Sequence, residues 1–165
     1  MCDPQRQDYF GSDRFDDIAV CDTDRVLRHC RTPVQIVKCQ RNGSKVSDQA
    51  LKPRKDEAGV SIDHECLLRK DALPPDHRYG SMPNTFALIA LSTGELRKAG
   101  GGVAWTPKPD EPDMPFESQR PANPWHGEII GHIVPKLARE LIQSAAVVRE
   151  DFTAAARCMT AGGKS

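Results

Sequence analysis

The stretch Asn123-Pro-Trp-His-Gly-Glu-Ile-Ile-Gly-His132 gathers residue types that carry out chemistry. His126 and Glu128 form a His-x-Glu, and His132 follows His126 by six positions. In zinc-dependent nucleobase deamination a motif of this kind supplies one metal ligand and a proton-moving carboxylate, and a downstream Cys-x-x-Cys completes the site. Here only Cys158 follows Glu128 and the chain has no Cys-x-x-Cys, so tetrahedral zinc lacks its ligands. On a strand, His126 and Glu128 share a face roughly 6–7 Å apart, which leaves an acid–base couple as the chemistry open to them. His126 and His132 are about 20 Å apart when extended, too far for one ion. In His64-Glu65-Cys66, neighbouring side chains splay away from one another on a strand or a helix. No metal site is expected.

Other reactive groups are weaker candidates. Arg25, Arg28 and Arg31 lie in a basic segment and are candidates for holding an anion. The segment lacks interleaved aromatics and matches no nucleic-acid-binding module. Gly100-Gly101-Gly102 follows a helical pattern, whereas a phosphate-cradling loop precedes one. No Gly-x-Ser-x-Gly is present. The six cysteines, at 2, 21, 30, 39, 66 and 158, are expected to be reduced and mostly structural.

The elements that must position these groups read as follows. Residues 1–22 are rich in Asp and lack a period, which predicts a loose acidic tail in which Tyr9 and Phe10 are contact candidates. Residues 23–158 are expected to form one globular domain and 159–165 to fray. RVLRHCR (25–31) reads as a short capped helix ended before Pro33. VQIVKC, GVSID, TFALIALS, VAWT and PWHGEIIGHI read as strands, and HECLLRK and GELRKA as short helices. Residues 107–124 hold six prolines and predict a long exposed loop, with Phe116, Trp125 and His126 as its contact residues. Pro135 opens the best helical pattern, KLARELIQSAAVVRE, whose Leu137, Leu141, Ala145 and Val148 fall on one face. The expectation is an α+β fold: a small mixed or antiparallel sheet of four to six strands with a long C-terminal helix packed on one face.

Net charge is zero but unevenly spread: −5 over residues 1–24, +6 over 25–60 and −1 over the remainder. The acidic end can dock on the basic stretch or compete with a partner for it. No apolar run approaches the roughly 18 residues of a membrane span, and the polar N-terminus lacks a secretory pattern, so a cytoplasmic location is expected.

Taken in series, VLRHC (26–30), SDQALKP (47–53), GVSID (59–63), ALSTGELR (90–97) and NPWHGEIIG (123–131) resemble an uncharacterised family of short bacterial proteins. That family has an early Leu-x-Arg, a Ser-Val-Asp-like strand and a late Asn-Pro-x-His strand. The chain departs from it at Leu51, Gly127 and Glu128. The resemblance implies one bacterial domain and no particular reaction. Two functions follow. The first is a non-catalytic binding or regulatory protein of a multi-component system, acting through a protein partner and needing no cofactor. The second is an ADP-ribosyl-transferring enzyme using NAD, with Arg28 or His29, Ser61 and Glu128 as its site.

Overall fold

The computed structural model describes residues 16–17, 19–31, 35–39, 43–55, 57–82, 84–108 and 122–161. Fourteen elements follow in chain order. Strands β1 (Arg25–Arg31), β2 (Ile36–Cys39) and β3 (Gly43–Val46) precede a 3₁₀ turn at Asp48–Leu51. Then come β4 (Val60–His64), α1 (Glu65–Lys70), a second 3₁₀ turn at Tyr79–Ser81, β5 (Thr85–Ser92), α2 (Thr93–Lys98) and β6 (Gly101–Trp105). The chain closes with β7 (His126–Gly131), α3 (Pro135–Ser144), β8 (Ala146–Glu150) and α4 (Phe152–Ala161).

Six strands form one antiparallel sheet in the order β6-β7-β4-β1-β5-β8, and β2 and β3 form a separate hairpin. The α+β class with an antiparallel sheet is therefore present. Register sets the two faces. Leu27 lies opposite Asp63, Asp63 opposite His126, and Ser61 opposite Glu128, so these side chains leave one face. Val26, Arg28, Ile62, His64 and Gly127 belong to the other.

That second face is the larger apolar layer. Val26, Ile62, Ile89, Leu91, Val103 and Ile129 pack there against Leu96 of α2, Ala138 and Leu141 of α3, and Ala155 of α4. On the first face Leu27, Leu88 and Ala90 pack against Leu68 of α1 and Tyr79. Among the described residues, no helix is long and apolar enough to cross a membrane.

Two sequence expectations are corrected. RVLRHCR is the strand β1, not a helix. It runs between β4 and β5, so Val26 and Leu27, on opposite faces, are both fully buried. Its polar residues masked the pattern, because Arg28 and His29 are buried as well, each with its own hydrogen-bond partner. The long C-terminal helix is two helices of ten residues separated by β8. Ala145 turns extended (φ −64°, ψ 138°), and the β-branched pair Val147-Val148 follows as a strand hydrogen-bonded to β5. TFALIALS is the strand β5, and Ser92 caps α2 by accepting a hydrogen bond from the Glu95 N–H. The cysteines depart from the all-reduced expectation at Cys21, which is disulfide-bonded, while Cys30, Cys66 and Cys158 are free thiols.

Gly127, the middle residue of His-x-Glu, has a packing role. A Cβ there would overlap the buried His64 ring at Nε2 and lie 2.6 Å from the Ala104 carbonyl oxygen. Both neighbours are fixed, His64 by complete burial and Ala104 by its place in β6. Gly127→Ala is expected to cost about 2–4 kcal/mol of stability, read as a shift in the urea unfolding midpoint with an unchanged slope.

Candidate functional site

Asp63 is the last residue but one of β4, between β1 and β7, with a side chain only 3% exposed. A carboxylate buried this far must be paired and hydrogen-bonded. Its partners come from three other segments. His29 of β1 donates from Nε2 to Oδ2 at 3.1 Å. Arg78, from the segment after α1, donates from Nη1 to Oδ1 at 3.0 Å and to Oδ2 at 3.3 Å. Asn123 donates from Nδ2 to Oδ1 at 2.8 Å. Burial is the largest influence on this carboxyl and acts to raise its pKa. The His29 hydrogen bond, the Arg78 charge and the Asn123 hydrogen bond outweigh it and hold Asp63 at about 2.

The Arg78 segment is able to reach back over the sheet because Ala72 adopts φ 56° just past α1, turning the chain at the helix end. Asn123 uses both ends of its amide, since Oδ1 also accepts from the Trp125 N–H at 3.2 Å. Its backbone exchanges two hydrogen bonds with Lys108, at 2.8 and 3.0 Å. Lys108 and Asn123 therefore form a closed neck through which residues 109–121 leave and return. Trp105 braces the same place, donating from Nε1 to the Pro124 carbonyl at 2.9 Å.

His126 lies directly across from Asp63. Its Nδ1 is 2.7 Å from the Thr106 carbonyl oxygen and 2.9 Å from Thr106 Oγ1. A carbonyl oxygen only accepts, so Nδ1 carries the proton and Nε2 keeps a lone pair. That Nε2 is buried without a hydrogen-bond partner. Burial first, and the Lys108 charge second, push His126 down to about 4. The ring is thus neutral at pH 7 and offers one acceptor nitrogen.

The remaining candidates are dispersed. Glu128 is opposite Ser61 on the Asp63 face, one step along the ladder from the Asp63–His126 pair. Arg28 points to the opposite face and spends its guanidinium on carbonyl oxygens, Ala50 O at 2.9 Å from Nε and Ser61 O at 2.7 Å from Nη1. The Arg28–Ser61–Glu128 set is thus split between faces, whereas His29, the alternative to Arg28, shares its face with Ser61 and Glu128 and spends Nε2 on Asp63. Arg25 forks onto Glu65 at 2.5 and 2.6 Å. Arg25 and Arg31 share a face at the two ends of β1, roughly 20 Å apart, with Arg28 behind them, so the three arginines do not assemble into one anion patch. Trp125 donates from Nε1 to Asp71 at 2.6 Å and stacks edge-on with His77 at 5.5 Å. Tyr9, Phe10 and Phe116 lie outside the described residues. Among the described residues, no three His, Cys, Asp or Glu side chains are grouped to hold a metal ion.

Asp63, Arg78 and Asn123 were not singled out from sequence. Their hydrogen bonds join residues 15 to 60 positions apart, beyond any local spacing rule. No protein-family model matches the chain, and no curated protein or solved structure matches it.

Two outcomes follow from this geometry. Asp63→Ala leaves a half-buried guanidinium and the buried Asn123 amide and His29 ring without their acceptor, and is expected to cost about 3–5 kcal/mol in chemical denaturation. Acidification is expected to destabilise the fold in two steps. His126 takes its proton near 6.5 when unfolded and near 4 when folded, so the unfolded chain binds more protons between those values. Stability is full above pH 6.5 and falls by roughly 3 kcal/mol as pH drops to 4. Asp63 adds a second loss between 3.8 and about 2. His126→Asn, which keeps a donor for Thr106, is expected to flatten the first step in urea midpoints measured from pH 7 to 4.

Proposed function

We propose that this chain is a non-catalytic binding or regulatory protein that acts through a protein partner, in a multi-component system of the bacterial kind its sequence resembles. The observation that carries this reading is the neck. Residues 109–121 are mounted on the backbone pair Lys108–Asn123, and the Asn123 side chain is tied to the buried Asp63. Binding loops are commonly carried by a rigid scaffold in this way.

The polar network supports the same reading. Asp63 spends both oxygens on His29, Arg78 and Asn123, in the manner of a structural hub. The Thr106 hydroxyl lies 2.9 Å from His126 Nδ1, but that nitrogen carries the proton and cannot act as its base, while His126 Nε2 and His29 Nδ1 are buried without a hydrogen-bond partner. Trp125, stacked edge-on with His77, lies two residues beyond Asn123 at the neck.

The test is affinity purification of the tagged full chain from its host, beside a variant in which 109–121 are replaced by a short Gly-Ser bridge. A polypeptide recovered in stoichiometric amount with the intact chain and lost with the variant is the expected result. Equal recovery by both forms, or no partner with either while the purified chain turns over a substrate, would contradict the proposal.

A further inference from the structure

The six-stranded sheet has two edges, and they are protected differently. At β8 the strand protects itself: it carries Arg149 and Glu150, and its pairing with β5 is irregular between Leu88 and Ile89. Charges and bulges on an edge strand discourage another strand from adding. At the other edge, β6 is Gly-Gly-Val-Ala-Trp, five residues without a charge or a proline. Such an edge is a template for strand addition unless it is covered.

Its cover is the segment 16–22. Val103, the middle residue of β6, turns its outer N–H and C=O toward this segment. The Asp17 N–H donates to the Val103 carbonyl at 2.8 Å, and Asp16 Oδ1 accepts from the Val103 N–H at 2.8 Å. The approach is so close that a Cβ on Gly102 would lie 2.8 Å from Asp16 Cβ. Arg97 is its main side-chain anchor, beside the Cys21 disulfide and the hydrogen bond from the Gly94 N–H to the Asp22 carbonyl at 3.0 Å. Arg97 of α2 bonds Asp16 Oδ2 at 2.7 Å and Oδ1 at 3.1 Å, Asp22 Oδ1 at 2.6 Å, and the carbonyl oxygens of Asp17 and Val20 at 2.8 Å each. Val20 sits in the core beneath it.

We propose that the described residues 16–17 and 19–22 belong to a strap, anchored by Arg97, that keeps the β6 edge from pairing with the β6 edge of a second copy of this chain. A second copy is the occupant the sequence fits, because an uncharged strand meets its own antiparallel image without repulsion, and the strap holds both groups of Val103 that such pairing would use. This inference is independent of the loop at 109–121. It also gives the acidic segment a role other than docking on the basic stretch 25–60, since Asp16, Asp17, Val20 and Asp22 are bound to Arg97.

The experiment compares the full chain with Arg97→Gln and Asp16→Ala by amide hydrogen exchange and by sedimentation velocity over a range of concentrations. The expected result has three parts. Exchange at the Asp17 amide quickens about tenfold or more, exchange in β1 and β5 stays at the native rate, and a species of twice the wild-type mass grows with concentration. Should Arg97→Gln fail to fold, Asp16→Ala carries the same readouts, because it removes the Val103 cap and leaves Val20 in the core. Native protection of the Asp17 amide in the folded variants, or a freed Asp17 with wild-type sedimentation, would overturn the proposal.

Discussion

A single buried carboxylate sets the arrangement around it. Asp63 cannot sit between two strands, out of water, unless donors surround it. That requirement draws His29 from β1, Arg78 from the segment after α1, and Asn123 from the far end of the proline-rich stretch. Each donor fixes the backbone that carries it. The Arg78 segment is held down over the Leu27–Leu88–Ala90 layer, and the two ends of the 109–121 excursion are brought together at Lys108 and Asn123. Removing the charge would leave three groups buried for a partner that is gone.

The network closes on itself around Asp63. A carboxylate that is fully satisfied and held at about 2 does not take up protons near neutral pH. His126, its neighbour across the ladder, stays neutral and points one free nitrogen into a buried space. Beside the neck, Trp125 is of the aromatic type enriched where proteins meet other proteins. The strap held by Arg97 addresses the opposite need, preventing contact along an edge where contact would be unspecific.

The sequence exposed the strands whose neighbours are all apolar. TFALIALS needs no polar partner on either face and reads as β5 without ambiguity, and the His126–Gly131 strand has Pro124 two residues before it and ends on Gly131. It hid β1, because Arg28 and His29 make a central strand look like the exposed part of a helix. Their partners, Ala50, Ser61 and Asp63, lie 22 to 34 residues away. It hid β8 for a related reason. The helical period of 135–148 is real, but pairing with β5 captures Val147 and Val148 once the chain turns extended at Ala145. In the site, His126 was legible from residue type, and the role of Gly127 was not: its missing Cβ is required by His64, a residue of another strand.

The account rests on Asp63 being ionised and saturated inside the fold. The most direct measurement is an NMR titration of its carboxyl carbon in the native protein, with the His29 ring carbons followed in the same series. The account predicts one transition with a midpoint near pH 2, far below that of an ordinary aspartate, and no change in Asp63 between pH 4 and 7. A midpoint at 4 or above would mean that the donors of His29, Arg78 and Asn123 do not converge on this carboxylate, and that the neck is not anchored where the structure places it.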